Sequence, residues 1–365
     1  MKRLGVAAGL VDGVLVPGDV GVVDGRIEAV GLPGAGAGLA VPGLVDLQVN
    51  GYAGVDFLSS PAEEWHEAGR AMARAGVTAY VANLVTSPPS LLTAALGTAG
   101  HVTRSERSGG ARLLGAHLEG PFLSPQRAGM HPVEHLRRPS VDEVRDWLAA
   151  GPVVGVTLAP ELPGALDVVA LLRSRGVLVS LGHSDATAAE AQAGFDAGAT
   201  TVTHVFNAMT APTARAPGLA GVALARPDVA VQLICDGVHL AAETVALVVA
   251  AARSRFVLVT DALSAAGAGE GHHRMGEVEV TVHGGAARRH DGTLAGSVAS
   301  LADCLRRVVG LGATVEDAVA AATSRPAALL GLDLGRLRPG DPADLVVLDD
   351  ALAVRSTLLA GTEVA

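Results

Sequence analysis

The chain has 365 residues, of which 49% are hydrophobic and 18% charged, and its formal net charge is −10. This composition supplies enough apolar side chains for a large folded core and excludes a mostly disordered chain. The acidic balance excludes the basic surface that binding to nucleic acid or to an anionic membrane requires, so neither is expected as a partner.

The first forty residues predict a small β unit. They contain short alternating segments, and Asp24-Gly25 within "VVDGRIEAVG" is typical of a tight hairpin turn. The apolar run near the start is interrupted by Asp12 and Gly13, which makes it too short for a secretory signal. The two cysteines form no CxxC motif, so a reducing cytoplasm is the expected location.

Eight β-rich runs follow along the chain. They are "LVDLQVN", "GVTAYVAN", "LLGAHLEG", "VVGVTLAP", "VLVSLGHS", "TVTHVFNA", "VAVQLICDG" and "FVLVTDA". The segments between them, such as "SPAEEWHEAGRAMARAG" and "DATAAEAQAGFDAGA", start with serine or aspartate and close with glycine, as crossover helices do. This alternation predicts parallel βα units closed into a (β/α)8 TIM-type barrel.

The last segment, "GRLRPGDPADLVVLD", returns to short strands and turns. We therefore predict that both chain ends form one small β-sandwich domain, made of residues 1–41 and 333–365. Residues 42–332 form the catalytic barrel in this prediction.

Polar side chains stand where the predicted barrel strands end. On strands three, five, six, seven and eight they are Glu119, His183, His204, Asp236, His239 and Asp261. A single buried histidine is more often structural than functional, and His117 beside Glu119 is first interpreted as a satisfied polar pair. Because strand ends of such a barrel converge on one face, the whole set is expected to share one mouth.

Two imidazoles and one carboxylate, with a fourth position open to water, make the ligand set of a catalytic zinc-type site. A divalent metal lowers the pKa of bound water from about 16 to about 7. A spare carboxylate nearby can then accept the proton and return it to a leaving group. The residues therefore predict metal-assisted hydrolysis.

The chain resembles the N-acetylglucosamine-6-phosphate deacetylase family of the amidohydrolase superfamily. The matching segments, in the family's order, are "PGLVDLQVNGYAGVDF", "HLEGPF", "GHSDA", "THVFNAM", "RAPGLAG", "DGVH", "TDA" and "GTLAGS". They cover nearly the whole chain.

The resemblance implies that Glu119, His183 and His204 bind one divalent metal ion. Zinc is the first expectation, and the ligand types also accept iron, cobalt or manganese. Asp261 would act as general base and acid. His131 in the loop "AGMHP" would polarise the acetyl carbonyl, although without the family it would be interpreted as an exposed loop side chain.

The resemblance also implies a set of contacts to a sugar phosphate. These residues are Met130, Asn207, Ala208, Arg215, Asp236, His239, Leu294, Ala295 and Gly296. Arg215 and His239 would hold the phosphate through charge-assisted hydrogen bonds. Taken alone, Arg215 is better explained as a solvated loop charge.

One position departs from the wider superfamily. Many amidohydrolases, and some deacetylases of this family, carry a His-x-His pair at the end of strand one that holds a second metal. Here the pair is replaced by Gln48 and Asn50. Neutral amides are weak ligands, so we expect them to bond water or substrate and predict one metal per chain.

The expected reaction is hydrolysis of N-acetylglucosamine 6-phosphate to glucosamine 6-phosphate and acetate, in amino-sugar catabolism. One alternative is another substrate, either an epimer such as N-acetylgalactosamine 6-phosphate or a cyclic amide. The other is a barrel that binds sugar phosphates without catalysis, which the joint presence of metal ligands and base disfavours. The family resemblance also implies a homodimer.

Overall fold

A single sheet of parallel strands runs through the middle of the chain. The computed structural model describes residues 1–34, 36–105, 109–276 and 278–365. In these ranges the sheet has eight strands, named β1 to β8 in chain order. They are Leu44–Val49, Val77–Val85, Arg112–Glu119, Val153–Leu158, Leu178–Leu181, Thr201–Val202, Ala230–Leu233 and Phe256–Leu258. Each overlaps one of the eight predicted runs, so the predicted parallel barrel is confirmed.

Helices cover the outside of this sheet. In the described ranges, α1 to α10 are Ala62–Arg74, Pro89–Arg104, Val141–Ala150, Ala165–Ser174, Ala188–Ala197, Gly218–Ala225, Ala242–Ala251, Leu301–Gly310, Val315–Ala322 and Ser324–Leu329. None of these helices is both long enough and apolar enough to cross a membrane. Because they shield the outer face, β2 is buried at every position, as parallel strands with two covered faces are.

The start of α5 shows how local chemistry sets a helix boundary. Thr187 and Glu190 form a capping box in which each side chain accepts the other residue's backbone N–H. The sequence pattern predicts that an aspartate begins this helix. Asp185 instead lies before the helix and accepts hydrogen bonds from Arg127 at 2.8 Å and from the Thr210 hydroxyl. The predicted closing glycine is present as Gly198.

Strands from both chain ends meet in shared sheets. A six-stranded sheet contains Ala8–Val11, Val14–Pro17, Leu39–Pro42, Leu345–Leu348, Val354–Leu359 and Thr362–Glu363, and a three-stranded sheet contains Lys2–Arg3, Asp19–Val23 and Arg26–Leu32. Asp24 and Gly25 form the predicted hairpin turn, with φ angles of 46° and 76°. One buried cluster includes residues of both sheets, so the sheets pack on each other. The domain boundaries stay predictions.

An antiparallel sheet that the sequence analysis did not predict follows β8. Its strands are Gly271–Met275, Val278–His283 and Ala286–Arg288. The pattern "VEVTVHGGAA", with a turn at Gly284 and Gly285, was the available signal. Smaller elements are the strands Gly51–Tyr52 and Val55–Asp56 and the 3-10 turns Pro125–Arg127 and Val133–His135.

The barrel closes where β1 meets β8, and both backbone and side-chain hydrogen bonds join the two strands. The backbone contributes a bridge between Val49 and Ala262, where the Ala262 carbonyl oxygen accepts the N–H groups of Asn50 at 2.7 Å and Gly51 at 3.2 Å. Asp46 on β1 is fully buried and accepts a 2.6 Å hydrogen bond from the Thr260 hydroxyl and a 3.3 Å bond from the Thr260 N–H. Burial raises the pKa of Asp46 from 3.8 to about 6, although the Thr260 bond opposes this rise.

Replacing Thr260 by valine keeps the shape of the side chain but removes one donor to Asp46. We expect the Thr260→Val variant to lose about 1–3 kcal/mol of unfolding free energy at pH 7.5, measured by chemical denaturation, because a buried carboxylate loses a partner. Thr260→Ser, which keeps the hydroxyl, is the matched control.

The pH dependence of this loss has a definite sign. The folded-state pKa of Asp46 is raised, so its contribution to stability is present below pH 3.8 and is lost as pH rises through about 6. The Thr260 bond stabilises the ionised form, and the deficit of Thr260→Val should therefore be larger at pH 7.5 than at pH 5. An equal deficit at both values would contradict this role of the bond.

Candidate active site

The loops that follow the barrel strands enclose a cleft with a cavity volume of about 210 Å³. Most of the predicted site residues line it: Glu119, Met130, His131, His183, His204, Asn207, Ala208, His239, Asp261, Leu294, Ala295 and Gly296. Residues far apart in the chain therefore meet at the carboxyl end of the barrel, where active sites of this fold lie.

Three polar residues of this lining, together with Ala208, adopt a backbone conformation that side chains rarely take. His183, His204 and Asp261 follow β5, β6 and β8 by two or three residues and have φ angles of 48°, 27° and 52°. Such left-handed residues cost about 1–3 kcal/mol each and cluster at functional sites. The folded barrel therefore holds these three side chains in place against local backbone preference.

Glu119, His183 and His204 bring their ligand atoms together within 4.8 Å of one another. His183 Nδ1 lies 2.9 Å from the carbonyl oxygen of Arg127, to which it donates, so the Nε2 atom of the neutral ring carries a lone pair. That atom lies 3.1 Å from Glu119 Oε1 and 3.1 Å from His204 Nε2. Ligand atoms gathered this closely could hold a cation between them.

The chemistry of this donor set fits a divalent cation. Burial lowers the pKa of His204, which keeps its ring in the neutral form that metal binding requires. The hydrogen bond from His183 to the Arg127 carbonyl is the outer contact that fixes a metal-binding ring. Among the described residues His204 Nδ1 has no comparable partner.

Asp261 lies beside this cluster and is held by amide side chains. Asn50 Nδ2 donates to its Oδ1 at 2.8 Å, and Gln48 Nε2 donates to the same oxygen at 3.2 Å. Burial and then the charge of Glu119 raise the pKa of Asp261 well above its ordinary range. A carboxyl group with a raised pKa is suited both to accept a proton and to return it. Gln48 and Asn50 were expected to bond water or substrate, whereas here they bond carboxylates.

His131 is buried, with 3% exposure, and is not the exposed loop side chain that its local sequence suggests. The backbone N–H of Thr86 donates to its Nδ1 at 3.3 Å, so the neutral ring carries its proton on Nε2. Burial lowers the pKa of His131 to about 3. The ring is therefore a neutral Nε2–H donor in the cleft.

His239 and Asp236 form a pair at the side of the cleft. Nδ1 of His239 lies 2.7 Å from Asp236 Oδ2, while Oδ1 of Asp236 accepts the backbone N–H groups of Val238 and His239. Burial alone would raise the pKa of Asp236, but these bonds, led by His239, lower it to about 2. Asp236 does not line the cleft and holds His239, whose ring does.

Besides Asp236, the predicted site residue that does not line the cleft is Arg215. It is exposed in the loop before α6 and is not part of the lining. No lysine or arginine lines the cleft in the described part of the chain. A phosphate in this cleft could therefore contact histidines and backbone groups of the lining, but no permanently charged side chain.

His117 lies below the cleft in the barrel interior. Its Nε2 lies 2.7 Å from the Thr157 hydroxyl, which contacts the Thr203 hydroxyl at 2.7 Å, and Ser180 extends the chain. Burial lowers the pKa of His117 to about 4. The histidine is a satisfied structural residue, as the cautious interpretation of the sequence held, but its partner is Thr157 and not Glu119.

Sequence reasoning missed several residues of the site. Val85, Gly129, Ile234 and Thr293 also line the cleft. Gly129 has a φ of 60°, and a Cβ there would lie 3.2 Å from the His183 ring. A side chain at this position would therefore crowd the imidazole of His183.

Asn83 was also missed, although it donates to Glu119 Oε2 at 2.6 Å. A buried amide in the mostly apolar strand β2 was the available signal for it.

Comparison with known proteins gives concordant matches. The model of the amidohydrolase family matches residues 39–364. The N-acetylglucosamine-6-phosphate deacetylase of Homo sapiens is 39% identical over 89% of this chain and 83% of its own length. The N-acetylgalactosamine-6-phosphate deacetylase of Escherichia coli O157:H7 is 38% identical over 89% of this chain and 87% of its own.

The same relationship holds in three dimensions. The crystal structure of N-acetyl-D-glucosamine-6-phosphate deacetylase from Mycobacterium smegmatis aligns with a TM-score of 0.94 at 35% identity, covering 100% of both chains. The corresponding structure from Thermotoga maritima aligns with a TM-score of 0.91 at 32% identity, covering 100% of this chain and 99% of the other. A parallel barrel with two histidines, a glutamate and an aspartate at its mouth, matched over nearly the whole chain, places this protein in the amidohydrolase family.

Proposed function

We propose that this chain hydrolyses the N-acetyl group of N-acetylglucosamine 6-phosphate and releases glucosamine 6-phosphate and acetate. The observation that carries the proposal is the joint placement of three ligand side chains, a carboxyl group and a neutral N–H donor in one cleft. Several relatives at more than 30% identity bear the name of this activity.

Glu119, His183 and His204 would hold one divalent ion, with zinc first and iron, cobalt or manganese as alternatives. When bound, the ion supplies Lewis-acid polarisation and lowers the pKa of water. One ion is proposed because amide groups, which are weak ligands, occupy the place of the His-x-His pair.

The remaining chemistry is assigned to two residues. His131 Nε2–H donates to the acetyl oxygen and stabilises the negative charge that develops there when water adds to the carbonyl carbon. Asp261 takes a proton from the attacking water through Oδ2, since Oδ1 is engaged by amides. It returns this proton to the sugar nitrogen as the C–N bond breaks, which leaves an amine and acetic acid, and the acid then ionises to acetate.

N-acetylgalactosamine 6-phosphate is the second candidate substrate. The Escherichia coli relative named for that activity is 38% identical to this chain, close to the 39% of the human relative. The two sugars differ only in the orientation of one hydroxyl group, and both carry the same amide and phosphate. Their kcat/KM values therefore decide between the candidates.

An acetate-release assay on both sugar phosphates, with metal analysis of the same samples, tests this function. We expect activity on the glucosamine derivative, loss of activity with a chelator, recovery with added Zn²⁺ and about one metal ion per chain. A preference for the galactosamine epimer would move the assignment to the second candidate. Two metal ions per chain, both needed for turnover, would contradict the single-site prediction.

The Asp261→Asn variant keeps the shape of the side chain but cannot take a proton. Its kcat should fall by more than the roughly 10²–10⁴-fold of one general acid–base step, because Asp261 serves both proton transfers. Metal content is the control and should stay unchanged. Near-normal turnover would assign the base to another residue.

Arg215 remains a predicted phosphate contact. From its exposed loop it would reach a ligand by loop movement or in the site of the second copy of the proposed homodimer. Arg215→Ala should lower kcat/KM for the phosphorylated sugar about ten- to a hundredfold and leave the weak activity on free N-acetylglucosamine unchanged. Arg175→Ala, which removes an exposed arginine at the end of α4 on the opposite barrel face, is the matched control.

Equal losses on both sugars would show that Arg215 holds the loop or a subunit contact and would remove it from the phosphate site. Size-exclusion chromatography of the same variants reports the oligomeric state, for which a dimer is proposed.

A further inference from the structure

Three amide side chains lie between the two carboxylates of the cleft. Gln48 Nε2 is 3.2 Å from Glu119 Oε2 and 3.2 Å from Asp261 Oδ1, so it bridges them directly. Asn83 Nδ2 donates to Glu119 Oε2 at 2.6 Å and to Asn50 Oδ1 at 2.8 Å, and Asn50 Nδ2 donates on to Asp261 Oδ1 at 2.8 Å. A second, longer path thus joins the carboxylates through Asn83.

The donors fall on one oxygen of each carboxylate and leave the other free. Oε2 of Glu119 and Oδ1 of Asp261 receive the amide N–H groups. Oε1 of Glu119 points instead toward the histidine ligands, at 3.1 Å and 2.9 Å from their Nε2 atoms. Within the described residues Oδ2 of Asp261 receives no hydrogen bond. The amides therefore select which oxygen of each carboxylate is available for the metal and for the substrate.

The orientation of Asn83 follows from this charge distribution. Turning its amide would place the Asn83 oxygen against Glu119 Oε2, and two acceptors would then repel each other. In the observed orientation Asn83 Oδ1 is buried without a partner among the described residues. A buried acceptor without a bond is unfavourable, so the double donation to Glu119 and Asn50 outweighs that cost.

We propose that Asn83 is a positioning residue that joins the metal ligand Glu119 to Asn50 and thereby aligns Asp261 with the substrate. Its N–H groups also offset the repulsion between two neighbouring carboxylates without a second cation. The part concerning metal binding rests on the ligand cluster, and the part concerning Asp261 rests on the proposed function.

The Asn83→Leu variant tests both parts, because leucine has the same branching and number of side-chain heavy atoms and no N–H groups. Cobalt(II) titration of the metal-free chain, followed by the absorbance of bound Co²⁺, should give a Kd about 10–100-fold higher than that of the wild type. At saturating Co²⁺, kcat should fall about tenfold or more while KM changes less than about threefold, since Asn83 does not line the cleft.

Thr78→Val is the matched control, because it removes a buried hydroxyl from the same strand at the end remote from the ligands. Its Kd for Co²⁺ should equal that of the wild type even if its stability falls. Should Asn83→Leu fail to fold, Asn83→Ala is judged by the same criteria. A Kd within about twofold of the wild type, in whichever variant folds, would overturn the role in metal binding.

Weaker Co²⁺ binding with an unchanged kcat at saturation would overturn the link to Asp261. A wild-type chain that binds Co²⁺ but deacetylates neither sugar phosphate would overturn the proposed function alone, because the ratio of Kd values still decides the role of Asn83.

Discussion

The arrangement of this site depends on the closure of the barrel between its first and last strands. Gln48 lies on β1 and Asn50 directly after it, whereas Asp261 lies after β8. Their hydrogen bonds join residues that are 213 and 211 positions apart. Just below them the buried carboxylate of Asp46 accepts hydrogen bonds from Thr260. Together with the backbone hydrogen bonds that the Ala262 carbonyl oxygen accepts from Asn50 and Gly51, these side-chain hydrogen bonds set the relative position of the amides and the base.

The cleft collects negative charge and meets it mostly with neutral groups. Glu119 and Asp261 lie together in a buried setting, and their partners are two imidazoles and three amides. A divalent cation at the ligand cluster would be the main positive charge there. Neutral donors keep their hydrogen-bonding roles over a wide pH range, because amides do not titrate and burial lowers the pKa of His131 to about 3.

The same arrangement separates the reacting end of the cleft from substrate recognition. The acetyl group is proposed to meet His131 and Asp261, whereas a phosphate would meet His239, held by Asp236, together with backbone groups near Leu294. No arginine or lysine of the described residues lines the cleft. A cation for the proposed phosphate would have to come from outside the lining, and the exposed loop that carries Arg215 is the proposed source.

The sequence by itself determined the order of the strands and helices, because apolar runs and helix-forming segments alternate over short distances. It also indicated the candidate ligands Glu119, His183 and His204, because polar residues at strand ends are conspicuous in an apolar background and the family resemblance singled out these three. Only the tertiary structure decided what long-range packing sets: the tautomer of His131, the left-handed backbone at Asp261 and the amide links through Asn83. These features arise between residues distant in the chain, so no local pattern encodes them, and they exist only once the barrel has closed.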